Sequence, residues 1–162
     1  MNIFSWLFGK KKDGCGGHCE CACESITIPE LLSLTPEETE TLKQIDERIV
    51  IGKVIALASH PDPKMTKVRV TKTLLGNKTE EQILCGGLNL EEGDVVAVAT
   101  VGTKLSEDFE IGAREIRGVE SRGMICSREE LGITGIEAEK GGIWKLPAVL
   151  ESELGIPLKD LL

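Results

Sequence analysis

Ile49-Val50-Ile51-Gly52-Lys53-Val54-Ile55-Ala56-Leu57-Ala58, with Lys67-Val68-Arg69-Val70-Thr71-Lys72-Thr73 after it, is the stretch that decides the fold. The first piece is an apolar run broken only by Gly52 and Lys53. The second alternates, with Val68 and Val70 on one side and Lys67, Arg69 and Thr71 on the other. A period of two is that of a β-strand. Downstream, residues 82–85, 94–101, 109–116, 123–127 and 143–146 read as further strands, punctuated by Gly86-Gly87 and Gly93-Asp94. Short strands with glycine turns at this spacing predict an all-β domain, a barrel or a sandwich. One short helix is expected over 127–131, with Ser127 as cap and Glu130 closing a capping box. Only Phe109 and Trp144 among the aromatic residues lie beyond the first eight positions, so the core must be built from Val, Ile, Leu and Ala.

Upstream the pattern changes. Residues 35–47 read as a helix: Thr35 caps it, Pro36 suits the first helical position and Glu38 completes a capping box. Glu37, Glu38 and Glu40 lie near the positive end of its dipole. Leu42 and Ile45 give it a thin apolar face, so it is a linker or a packed flap. The expected division is an apolar and basic stub with a Cys-rich tail over 1–25, a helical linker over 26–47 and the β domain over 48–162.

Formal net charge is -8, which argues weakly against nucleic acid, but its distribution is uneven. Residues 1–47 carry four basic and nine acidic side chains, and residues 48–162 carry fifteen and eighteen. Residues 63–79 hold Lys64, Lys67, Arg69, Lys72 and Lys78 and no acid. This stripe either suits phosphate contacts or is a solvated strand face. The aromatic residues that stack single-stranded bases are missing from it, so bound RNA would be held by shape and backbone.

Catalytic signatures are sparse. The two histidines are His18 and His60. His60, in the turn Ser59-His60-Pro61-Asp62-Pro63, lacks a nucleophile and an orienting acid in its neighbourhood and reads as a turn histidine contacting backbone. There is no Walker loop and no dinucleotide fingerprint. Of six cysteines, four crowd between Cys15 and Cys23. Cys15, His18, Cys19, Cys21 and Cys23 offer a ligand set for zinc or Cu(I), although single-residue gaps are tighter than in most structural zinc sites; a disordered tail is the other reading. No cofactor is required by the rest of the chain. Phe4, Trp6, Leu7 and Phe8 ahead of Lys10-Lys11-Lys12 could touch an anionic membrane weakly or dock on a partner protein. No apolar run is long enough for a transmembrane helix, and Met1 to Phe8 does not read as a secretory signal. A cytoplasmic, reducing compartment is the expectation.

From Ile49 to about Leu162, about seventy per cent of the chain, the sequence resembles the EMAP-II-type tRNA-binding domain. That domain occurs in stand-alone bacterial tRNA-binding proteins, at the C-terminus of methionyl-tRNA synthetases and near the N-terminus of the phenylalanyl-tRNA synthetase β subunit. The resemblance rests on Val50-Ile51-Gly52-Lys53-Val54, His60-Pro61, Lys67-Val68-Arg69-Val70, Ile83-Leu84-Cys85-Gly86-Gly87-Leu88-Asn89-Leu90 and Val101-Gly102-Thr103-Lys104-Leu105. Its most specific part is Ile116-Arg117-Gly118-Val119-Glu120-Ser121-Arg122-Gly123-Met124-Ile125-Cys126-Ser127. The resemblance implies a five-stranded OB-fold barrel with short helices that grips the outer corner of folded tRNA. It carries the binding surface onto Lys53, Asn89, Arg117, Ser121, Met124 and Ser127, to which the strand pattern adds Lys67 and Arg69. Lys53 and Arg117 would neutralise phosphate, Asn89 and Ser121 would bond ribose or base edges, and Met124 would pack on a base. The turn after His60-Pro61 is longer than is usual in the family, and Leu88 replaces a usual Pro.

The expected function is non-catalytic binding of structured tRNA, with tRNA and an aminoacyl-tRNA synthetase as partners and a homodimer as a further possibility. The alternatives are a detached part of a phenylalanyl-tRNA synthetase β subunit acting in trans, and a protein-interaction or chaperone-like use of the barrel.

Overall fold

A computed structural model describes residues 26–133 and 142–162. Strands β1 (Ile49–Ser59), β2 (Arg69–Leu75) and β3 (Thr79–Cys85) form an antiparallel meander, and β4 (Val95–Ala99) pairs with the other side of β1. A hairpin of β5 (Lys104–Ser106) and β6 (Phe109–Glu110) follows, then a hairpin of β7 (Ala113–Ile116) and β8 (Val119–Arg122). Two short strands finish the sheet, β9 (Met124–Ile125) and β10 (Lys145–Leu146), both paired with β4.

The sheet curls because one stretch of chain touches both of its edges. The Ser121 hydroxyl of β8 accepts the Leu84 N–H of β3 at 3.0 Å, and the Gln82 amide of β3 donates to the Glu120 carbonyl at 2.7 Å. Immediately afterwards β9 pairs with β4. The β8–β9 segment thus spans from β3 to β4, which makes the architecture OB-like. The hinge is Gly123, at φ +124°, where a Cβ would lie 2.8 Å from the Ala99 carbonyl oxygen. Only glycine meets both the dihedral and the close approach without strain.

Two apolar layers explain the strand patterns. Inside the barrel lie Val54, Leu75, Ile83, Leu90, Val96, Val98 and Ile125. On the outer face of β1 and β4, Ile49, Ile51, Val95, Ala97 and Ala99 pack under Leu32, Leu42, Trp144, Leu150 and Leu158. Strands covered on both faces read as continuous apolar runs, which is why Ile49 onward and Val95–Ala99 do not alternate.

The outer layer is supplied by α1 (Ile28–Leu31), α2 (Pro36–Lys43) and the 3₁₀ turns η1 (Ala148–Glu153) and η2 (Leu158–Leu161). Thr35 and Glu38 cap α2 reciprocally, as their spacing predicts. Leu42 is fully buried, so of the two readings of this helix, flap and linker, it packs as a flap. The short α1 falls within the helical linker expected over 26–47, although it has too few residues to show a period of its own.

Three expectations are corrected. The single strand expected over 109–116 is two, β6 and β7, which pair in separate hairpins. The helix expected at 127–131 is a turn. Its capping box does form, with Ser127 N–H donating to Glu130 Oε2 at 2.7 Å. However, Leu131 and Gly132 bond three residues back and Ile133 N–H returns to the Arg128 carbonyl, closing the chain on itself. The basic stripe on β2 is also divided. Thr71 and Thr73 are fully buried while Lys72 is exposed, so Arg69, on the threonine face, and Lys72 lie on opposite sides. Threonines take the inner face because their hydroxyls are satisfied there: Thr71 Oγ1 lies 3.2 Å from Thr73 Oγ1 and donates to the Ile83 carbonyl at 2.9 Å.

Candidate nucleic-acid interface

Arg117 and Gly118 form the two-residue turn of the β7–β8 hairpin, flanked by the Ile116–Val119 pair. Both have positive φ, +48° and +82°, as a type I′ turn requires. Such a φ is uncommon for an arginine. Its Nη1 donates to Asp62 Oδ2 at 2.9 Å, and the side chain remains half exposed. Asp62 belongs to the β1–β2 loop. Its carboxyl is held below the usual aspartate range, first by the Lys64 N–H on Oδ1 and then by Arg117.

The same loop makes a second link to the hairpin. His60 is buried; its Nδ1 accepts the Asp62 N–H at 3.0 Å and its Nε2 lies 3.1 Å from the Ile116 carbonyl. That pattern assigns the ring proton to Nε2, the nitrogen facing a carbonyl. Both nitrogens serve backbone, so His60 is the turn histidine its sequence context predicts. Lys64 and Lys67 sit exposed in this loop and make no ion pair among the described residues.

Of the five other candidates, Met124 and Ser127 line a cleft at the end of β3, and Arg69, Asn89 and Ser121 bond to backbone in or near its walls. The cleft has a volume of about 620 Å³, and its walls include Leu84, Cys85, Met124, Ser127 and Ile143. Arg69 pairs in register with Cys85 and donates to the Leu90 carbonyl at 3.1 Å. Asn89 spends both ends of its amide on Ile143, donating to its carbonyl at 3.0 Å and accepting its N–H at 2.9 Å. Ser121 is buried; besides accepting from Leu84 it donates to the Gly123 carbonyl at 3.3 Å. Asn89 and Ser121 therefore hold the cleft's walls. Met124 and Ser127 are half-buried and line it directly, beside Glu129 and Glu130.

Lys53 stands apart from both groups. It lies on the outer side of β1 with its Nζ 2.6 Å from Glu151 Oε1 of η1. Sequence reasoning found the cations but missed their partners, Asp62 and Glu151. Arg117 and Asp62 are fifty-five positions apart, and Lys53 and Glu151 ninety-eight, so no local pattern could announce them.

Burial pushes the Cys126 thiol up to about 12 and raises that of Cys85 as well, so both are protonated at neutral pH and are poor nucleophiles. Among the described residues no group of three or more His, Cys, Asp or Glu side chains is placed to hold a metal ion. The ligand set Cys15, His18, Cys19, Cys21 and Cys23, and the stub over 1–12, lie outside the described residues. No helix among those residues is long and apolar enough to cross a membrane.

Comparison with known proteins gives a consistent family. The family described as "Putative tRNA binding domain" matches residues 49–153. The phenylalanine–tRNA ligase beta subunit of Haemophilus influenzae is 38% identical over 143 residues, covering 88% of this chain and 17% of the relative. That of Dickeya dadantii is 42% identical over 144 residues, covering 87% of this chain and 17% of the relative. The chain thus spans about a sixth of the length of these relatives. Among solved structures, a MetRS-related protein from Pyrococcus horikoshii aligns with a TM-score of 0.46 at 22% identity, over 68% of this chain and 87% of that one.

Proposed function

The chain belongs to the tRNA-binding domain family, and on that footing we propose that it binds folded tRNA without catalysing a reaction on it. The observation that carries this reading is the hairpin turn that projects Arg117 beside a loop bearing exposed Lys64 and Lys67. Three cations on neighbouring loops form a local phosphate-binding surface on a chain whose overall charge is negative. His60 is committed to backbone and the two buried thiols to their protonated form, which fits a holding role better than acid–base or nucleophilic chemistry.

In this reading the surface meets sugar-phosphate at the outer corner of the tRNA fold, and the cleft lined by Met124 takes an uncharged group, because Glu129 and Glu130 beside it repel phosphate. The protein would raise the local concentration of tRNA for a synthetase. The similarity to phenylalanine–tRNA ligase beta subunits favours that enzyme as the partner, with this chain supplying tRNA binding in trans. Adding the chain to a ligase whose beta subunit has lost this region should then restore tRNA affinity.

The primary test is a salt series of binding to bulk tRNA beside single-stranded RNA of equal length. Preference for folded tRNA, steep weakening with salt, and about tenfold loss on Arg117→Ala are expected. Absence of tRNA binding at low salt by folded protein would overturn the reading in favour of a protein-interaction barrel.

A further inference from the structure

Two independent links join the β1–β2 loop to adjacent residues of one turn. His60 Nε2 meets the Ile116 carbonyl, and Asp62 Oδ2 meets Arg117 Nη1. The loop itself is braced, since Asp62 Oδ1 accepts the Lys64 N–H at 2.8 Å and the Asp62 N–H is held by His60 Nδ1. The carboxylate therefore occupies a set place whether or not Arg117 meets it. The β7 strand, by contrast, is exposed at every residue, and the hairpin tip has little packing of its own. A non-glycine residue at φ +48° adds backbone strain at the same spot.

Resting on the tRNA-binding reading, we propose that Asp62 is a positioning residue for Arg117: it fixes one edge of the guanidinium so that the other edge is ready for a phosphodiester oxygen. A guanidinium is a planar fork of five N–H donors. Asp62 engages Nη1 alone, and Nε and Nη2 have no partner among the described residues. The side chain is 52% exposed, so that second edge is reachable by solvent and by RNA. A flexible arginine would lose rotamer freedom on meeting phosphate; one already held loses less, which tightens binding. The opposing effect is repulsion between the carboxylate and the incoming phosphate, weakened by exposure and salt. The braced loop, the strained turn and the double link all serve to locate one guanidinium, and this favours the positioning effect.

The test is a double-mutant cycle on full-length protein with bulk tRNA, using Asp62→Asn and Arg117→Ala singly and together. Asp62→Asn retains an acceptor for the Lys64 N–H, so the loop keeps its own turn and only the hold on Arg117 is removed. The expected result is an affinity loss of about three- to tenfold for Asp62→Asn. That loss should disappear in the Arg117→Ala background, where the salt slope is already lower by about one. Tighter binding by Asp62→Asn would overturn the inference and make the carboxylate a mask. Equal loss with and without Arg117 would also overturn it and place the effect in the loop fold. If the unaltered protein fails to bind tRNA, the functional reading falls and takes this inference with it; if it binds and the cycle shows no coupling, only the positioning role falls.

Discussion

Lys53 Nζ lies 2.6 Å from Glu151 Oε1, so the cation of β1 is paired with η1 across ninety-eight positions of sequence. An ammonium is a point charge, and a carboxylate at that distance offsets most of its pull on phosphate. This differs from Arg117, whose fork keeps a free edge. Glu151→Gln should therefore tighten tRNA binding by about two- to threefold at low salt, with the gain fading as salt rises. Because Glu151 is half exposed, the unfolding free energy should change by less than about 1 kcal/mol. Weaker tRNA binding by Glu151→Gln would remove Lys53 from the interface.

Asn89 and Ser121 separate stability from binding. Each satisfies backbone groups in or beside the cleft wall, so Asn89→Ala and Ser121→Ala leave partly buried donors and acceptors unpaired. A loss of about 1–3 kcal/mol in urea unfolding is expected for each. Where the variants remain folded, tRNA affinity should fall less than it does for Arg117→Ala. Full stability combined with lost affinity would show instead that these side chains reach the RNA.

Gly123→Ala attacks barrel closure. The new methyl would meet the Ala99 carbonyl at a positive φ, at the point where β8 hands over to β9. At least about 2 kcal/mol of destabilisation is expected, with hydrogen exchange accelerated in β9 before β1 and β2. Uniform acceleration across all strands would argue against a local role in closure.

Stability should also decline in alkali. The Cys126 thiol sits above its ordinary value of 9.0, at about 12 in the folded chain, because burial disfavours the thiolate. A raised value means that its contribution is complete below about 9 and is lost as pH climbs toward about 12. Denaturation midpoints should therefore fall above pH 9 or so, and Cys126→Ala should flatten that limb. An unchanged alkaline limb in the variant would assign the loss to other groups, such as Lys145, whose pairing with Asp94 also raises it.

The long strands were legible because their signals are local, whereas β5 and β8 carry too few residues to show a period and the strand read over 109–116 is two strands in separate hairpins. Alternation, apolar runs and glycine turns each need only neighbouring residues, and the capping box at Thr35 needs four. The same locality misled at 127–131: the box is real, but the chain folds back through Ile133 before a helix can continue. The β2 stripe failed for a related reason. Alternation divides a strand into two faces without naming the inner one, and hydroxyl pairing between Thr71 and Thr73 let the polar face turn inward.

The sequence by itself determined that this is a β domain with an aliphatic core, and its Arg117–Ser127 string carried the family. Those properties follow from period and residue type, which short-range sterics and hydrophobicity fix. Only the tertiary structure decided how the candidate side chains are employed. It paired Arg117 with Asp62 and Lys53 with Glu151, committed Asn89 and Ser121 to backbone, and grouped Met124 with Ser127 along a cleft. Each of these depends on distances across the closed barrel, and such distances exist only once β8 and β9 have joined β3 to β4.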